Sequence, residues 1–106
     1  MCAYNRLNGV FCAENARLLR DIVAGEWGYE GIIMSDWFAV NDRAAGVEAG
    51  LHLQMPAAPT AAGVAAALRE GRLAEARLDE IVRTLLRFVF KADAARQPGR
   101  PVDFEA

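Results

Sequence analysis

Short apolar runs alternate with amphipathic stretches along the chain. Met1–Tyr4 reads as a short buried strand ending in the turn residues Asn5, Asn8 and Gly9. A helix is expected over about Asn15–Ala24, where Leu18, Leu19, Ile22 and Val23 form one stripe and Gly25 stands at the left-handed C-terminal position. Glu26–Gly31 is a glycine-punctuated loop, and Ile32-Ile33-Met34 is a continuous apolar run of the kind a strand covered on both faces shows. Ala39–Ala49 is expected to be helical and stopped by Gly50, with Leu51–Leu53 as a third short strand closed by Pro56. Thr60 and Gly71 bracket a further helix over about Thr60–Glu70. The last helix, about Leu78–Lys91, has the clearest period: Leu78, Ile81, Val82, Leu85, Leu86 and Val89 fall at i, i+3, i+4, i+7, i+8 and i+11. Asp79 and Glu80 are expected in its first turn, and Arg87 and Lys91 in its last, as the helix dipole favours.

Strand, helix, strand, helix, strand, helix, helix is the order of βαβ units on a parallel sheet, which places the chain in the α/β class. Three parallel strands alone would leave bare edges and apolar faces without cover. A complete eight-unit barrel takes about 250 residues, and this chain has 106. The expectation is therefore a fragment of a larger domain, and a start inside a strand points the same way.

Composition narrows the function classes. Hydrophobic residues at 54% and charged residues at 25% are ordinary for a soluble globular protein. With a net charge of -2 and its Lys and Arg residues dispersed, the chain has no basic footprint, so nucleic acid is not an expected partner. The most apolar stretch, about residues 57–68, is broken by Pro59 and Gly63 and too short to span a membrane, so no membrane partner is expected either. Cys2 and Cys12 lack a second pair for a zinc site and read as two small buried hydrophobes.

The candidate chemistry sits in Ser35-Asp36-Trp37. An acidic residue directly after an apolar strand lies at the strand's carboxyl end, which in a βα barrel is the active-site rim. A neighbouring Trp suits a sugar, because its flat apolar face can stack on a pyranose. An Asp that caps the next helix fits the same residues, and both readings stand at this point.

The wider pattern is more specific. Met1-Cys2-Ala3-Tyr4-Asn5-Arg6-Leu7-Asn8-Gly9, Glu14-Asn15, Leu18-Leu19, Gly25-Glu26-Trp27-Gly28-Tyr29-Glu30-Gly31, Ser35-Asp36-Trp37, Ala49-Gly50-Leu51, Met55-Pro56 and Arg77-Leu78-Asp79-Glu80 resemble, in order and spacing, glycoside hydrolase family 3. The resemblance implies a partial (β/α)8 TIM-type barrel comprising about its last three βα units. Residues 1–91 would belong to the N-terminal barrel domain, and residues 92–106, with Gln97-Pro98-Gly99-Arg100-Pro101, would form a linker or tail toward a second domain.

The resemblance also implies a retaining β-glycosidase. Asp36 maps onto the nucleophile, Trp37 onto the Trp lining the glycone subsite, and Met1 and Tyr4 onto residues facing that subsite; barrel packing is the alternative for Met1 and Tyr4. The implied substrate is a β-linked glucoside or oligosaccharide. The implied mechanism is double displacement by two carboxyl groups roughly 5–5.5 Å apart, with no cofactor or metal.

Several expected parts are missing from the pattern. The acid/base Glu would come from the second domain, and Glu14, Glu26, Glu30 and Glu48 are not assigned that role. Glu14 reads as a cap or loop brace. The family's Lys-His sugar-binding pair, with an Arg and an Asp from earlier strands, is not in the chain, so the isolated fragment is expected to be inactive. His52 and Gln54 stand where the family often has acids, and His52 is expected to make a structural hydrogen bond. Phe38 stands where Gly is common. Alternatives are a β-xylosidase, an N-acetylhexosaminidase (disfavoured by Trp37), or a non-catalytic truncated remnant or sugar-binding module.

Overall fold

The computed structural model describes residues 1–57, 60–96 and 99. Its elements are β1 (Arg6–Leu7), β2 (Val10–Phe11), a 3-10 turn (Cys12–Glu14), a π-helical segment (Arg17–Glu26), β3 (Met34–Trp37), α1 (Arg43–Ala49), β4 (Leu53–Met55), α2 (Ala62–Arg69) and α3 (Glu75–Ala94). β3 and β4 pair in parallel across the α1 crossover. On the other side of β3, Cys2 forms a parallel bridge with Ser35. Three chain segments thus run side by side, with β3 in the middle, and the chain is α/β as the alternation predicts.

The first expected strand shrinks to that bridge. The Cys2 amide donates to the Met34 carbonyl at 2.8 Å, and the Asp36 amide donates to the Cys2 carbonyl at 3.1 Å. The chain then turns away into a hairpin absent from the sequence-based expectation. Asn8 and Gly9, both at positive φ (51° and 84°), form its two-residue loop, and β1 and β2 pair antiparallel through Arg6–Phe11 and Leu7–Val10.

The two later strands lie further along than the apolar runs predict. The ladder is made by backbone groups, so it continues through polar Ser35 and Asp36. Ile33 uses its carbonyl to accept the His52 and Leu53 amides at 2.9 and 3.1 Å. Leu51 belongs to the α1 terminus, where its amide donates to the Gly46 carbonyl at 2.9 Å and Gly50 takes the expected left-handed conformation at φ 103°.

Three helix boundaries also move. The segment after Asn15 is π-helical, and the Trp27 amide reaches the Ile22 carbonyl, five residues back, at 2.9 Å. This wider turn carries Gly25 inside the helix, and the positive-φ glycine of the following loop is Gly28. α1 starts at Arg43 instead of Ala39 because Asp42 caps it, with Oδ1 accepting the Ala44 and Ala45 amides at 2.9 and 3.2 Å. α3 starts at Glu75, directly after the buried anchor Leu73, so Glu75 is its first-turn acid in place of Asp79 and Glu80. The ends of α2 are nearly as expected: Thr60 Oγ1 accepts the Ala62 amide at 3.4 Å, and Gly71 follows at φ 70°. The expected linker at residues 97–101 lies, apart from Gly99, outside the described residues.

Two apolar clusters hold the unit together. Cys2, Cys12, Ala13, Leu19, Ile33, Ala49 and Leu51 form the first, and Ala44, Val64, Ala67 and Leu73 the second. α1 contributes to both. Its Gly46 allows a close approach, since a side chain there would stand 3.3 Å from Leu51 and 3.4 Å from the Ala13 carbonyl oxygen. Both cysteines are free and buried, and burial pushes the Cys2 thiol above its ordinary pKa, as suits an unreactive packing residue. Among the described residues no helix is long and apolar enough to cross a membrane.

Candidate active site

Asp36 lies in the last turn of the pleat of β3, half-buried, between fully buried Ser35 and exposed Trp37. Its backbone is held from two sides: the amide by Cys2, and the carbonyl by the Ala39 amide at 3.2 Å. Its Oδ1 accepts the Trp37 amide at 2.8 Å. Asp42 occupies the cap of α1, so the helix-cap alternative for Asp36 is not what the structure shows.

Tyr4 is brought to Asp36 from the neighbouring segment. Partial desolvation, followed by hydrogen bonding to Asp36 and the charge of its carboxylate, raises the Tyr4 pKa above the ordinary phenol value. The phenol therefore keeps its proton and can donate to a carboxylate. Trp37 is 55% exposed and meets Phe38 edge to face, with ring centroids 6.2 Å apart. Phe38 has φ 63°, the left-handed region where glycine is at ease, at the position where the resemblance leads to an expectation of glycine. Met1 is exposed and lines a cavity of about 840 Å³ with Leu19, Trp27 and Ile33.

The loop after Asp36 is braced from below. Glu14 Oε1 accepts the Asn41 and Asp42 amides, both at 2.8 Å, which is the bracing role expected for it. His52 also makes its expected structural bond, with Nδ1 accepting the Ile33 amide at 3.0 Å. His52 lines a second cavity, of about 680 Å³, with Arg20, Arg77 and Glu80. Neither of these two cavities is lined by Asp36, Tyr4 or Trp37. Among the described residues no group of three His, Cys, Asp or Glu side chains is placed to hold a metal ion.

Ser35 was legible only as part of a motif. In the structure its Oγ accepts the Met55 amide at 2.9 Å and donates to the Met55 carbonyl at 3.4 Å. Opposite this stretch stands Gln54, whose Oε1 is buried without a hydrogen-bond partner among the described residues.

The candidate site is thus a carboxylate at the carboxyl end of a parallel strand with an exposed indole beside it, on the face where βα barrels carry their active sites. Residues 1–88 match the model of the glycosyl hydrolase family 3 N-terminal domain, and the chain belongs to that family. It is 47% identical over 95 residues to an exo-α-(1→6)-L-arabinopyranosidase of Bifidobacterium breve, covering 90% of this chain and 12% of that protein. It is 40% identical over 108 residues to the thermostable β-glucosidase B of Acetivibrio thermocellus, covering 100% of this chain and 14% of that protein. Among solved structures, a family 3 β-glucosidase of Bifidobacterium adolescentis superposes with a TM-score of 0.84 at 46% identity, over 90% of this chain and 14% of that one. The chain thus spans about 12–14% of the length of these curated relatives.

Proposed function

We propose that this chain is the nucleophile-bearing part of a retaining β-glycosidase acting on terminal β-D-glucosides. The observation that carries the reading is the placement of Asp36: at the carboxyl end of β3, relieved of helix capping by Asp42, with the Tyr4 phenol against it and Trp37 exposed beside it. Residues 1–91 are read as about the last three βα units of a (β/α)8 barrel, and residues 92–106 as the path toward a second domain.

In the reaction, an Asp36 oxygen attacks the anomeric carbon as the glycosidic bond breaks, and a second carboxyl group protonates the leaving oxygen. The glycosyl ester on Asp36 is then displaced by water, which the same carboxyl group deprotonates, and configuration is retained. Tyr4 donates to the Asp36 carboxylate and orients it, and Trp37 offers its face to the sugar ring. Met1 is assigned to the same subsite by the family resemblance alone, since its side chain lines the neighbouring cavity. The acid/base carboxyl group and most of the sugar pocket come from outside this chain, so the isolated chain does not turn over substrate.

A second reading of the glycone has its own support. The 47% identical relative is named as an arabinopyranosidase, so an L-arabinopyranoside is the competing substrate for the same machinery.

The test is a chimaera in which residues 1–91 replace the matching segment of the B. adolescentis β-glucosidase. Incubation with an activated 2-deoxy-2-fluoro-β-D-glucoside, followed by peptide mapping, is expected to place the label on Asp36. Label on any other residue sinks the assignment. A panel of chromogenic glucosides, xylosides and arabinopyranosides then separates the two glycone readings by kcat/KM.

A further inference from the structure

The register of β3 against β4 is irregular at the residues that matter most. Met34 pairs with Leu53 and Trp37 pairs with Met55, so Ser35 and Asp36 together lie opposite the single residue Gln54. This is a bulge, with two residues on one strand facing one on the other. An extra residue breaks the strict in–out alternation of a strand. Here Ser35 is fully buried, Asp36 is half-buried and Trp37 is exposed, so the two residues after Ser35 leave the interior in succession.

A bulge needs something to hold it, because the extra residue disturbs the backbone ladder. Ser35 supplies that hold with its side chain. At 0% exposure, its hydroxyl engages both backbone groups of Met55, accepting from the amide at 2.9 Å and donating toward the carbonyl at 3.4 Å. The same Met55 carbonyl accepts the Phe38 amide at 2.9 Å. One peptide position on β4 is therefore tied to both ends of the stretch that carries Asp36 and Trp37. From the other side, the Cys2 carbonyl holds the Asp36 amide at 3.1 Å.

We propose that Ser35 is a positioning residue, whose buried hydroxyl closes the β3 bulge onto Met55 and so sets the direction in which the Asp36 carboxylate leaves the strand. The inference rests on the reading of Asp36 as nucleophile. A side chain can take this role where a backbone group cannot, since a hydroxyl both donates and accepts and so satisfies an amide and a carbonyl of one residue at once. Small errors in the angle of an attacking group are costly in rate, and a misplacement of about 1 Å can cost on the order of a hundredfold.

The experiment uses the chimaera with Ser35→Ala, which leaves a smaller side chain, and with Ser35→Cys, which keeps the shape with a somewhat larger atom; both lose most or all of the hydrogen bonding. Two quantities are read from inactivation by the fluoro-glucoside: the fraction of protein that can be labelled, and the first-order rate constant at saturation. A positioning role leaves the labelled fraction near that of the parent and lowers the rate constant roughly tenfold to a hundredfold, with the half-saturation concentration nearly unchanged. Ser35→Cys at the parent rate constant, with only its labelled fraction or melting temperature reduced, overturns the proposal and leaves Ser35 a purely structural residue. Label on a residue other than Asp36 in the parent chimaera removes the nucleophile reading and this inference with it. Correct labelling with unaltered Ser35 kinetics removes this inference alone.

Discussion

The Ile33 amide donates to Nδ1 of His52 at 3.0 Å across two adjacent parallel segments. Nδ1 can accept only while it carries no proton, so this bond selects the neutral imidazole protonated on Nε2. Burial lowers the His52 pKa below its ordinary value of 6.5, with the Glu80 charge opposing in part. The unfolded chain therefore takes up a proton at a higher pH than the folded one. The stabilising contribution is complete above 6.5 and is lost as pH falls through the folded value. The melting temperature of the chimaera is expected to fall more steeply below that point than that of its His52→Asn variant, which keeps an acceptor and cannot titrate. Parallel curves for the two proteins would contradict this.

Asp36 and Asp42 carry separable duties. Asp36→Asn is expected to cut turnover by several orders of magnitude with the melting temperature nearly unchanged, because the amide oxygen can still accept from Trp37. Asp42→Ala is expected to cost about 1 kcal/mol of stability through loss of the α1 cap, with the labelling rate of the folded protein preserved. Calorimetry and active-site labelling on the two variants decide it, and a destabilised Asp36→Asn with normal activity would restore the capping role to Asp36.

Tyr4→Phe removes one hydrogen bond to the Asp36 carboxylate and little packing, since Tyr4 is 56% exposed. Loss of a donor that orients the attacking carboxylate should lower the labelling rate constant roughly tenfold. Stopped-flow or quenched labelling reads the step directly. An unchanged rate would confine Tyr4 to packing.

Phe38 holds a left-handed backbone that costs a side-chain-bearing residue roughly 1–2 kcal/mol. Comparing Phe38→Gly with Phe38→Ala isolates that cost, because both lose the ring. The glycine variant should be the more stable by about 1 kcal/mol in denaturant unfolding. In ordinary helices and strands the order is the reverse.

Glu14→Gln keeps an acceptor oxygen for the Asn41 and Asp42 amides and should be tolerated. Glu14→Ala leaves both amides to solvent and should cost about 1–2 kcal/mol. Hydrogen exchange at those two amides is expected to rise in Glu14→Ala and to stay slow in Glu14→Gln.

Much of this was already legible in the chain. The alternation of apolar runs with 3.6-residue periodicity determined the α/β class and the order of elements, because burial of one face is written in the spacing of side chains. The glycine stops at Gly50 and Gly71 were readable for the same local reason, since a left-handed terminus favours the residue without a Cβ. Motif order singled out Asp36, Trp37 and Tyr4 as candidates and pointed to the family to which the chain belongs. Other features depended on backbone groups that no pattern of side chains encodes. The ladder runs through Ser35 and Asp36 and not through the apolar run before them, since amides and carbonyls pair regardless of the polarity of their side chains. The π-helical turn that swallowed Gly25 and the cap at Asp42 arose from hydrogen-bond choices between neighbouring frames. The tertiary structure alone decided that Tyr4 comes to Asp36 and that Ser35 reaches across to Met55. These contacts join residues 20 or more positions apart, and their geometry is fixed by how three parallel segments pack, not by anything local to either partner.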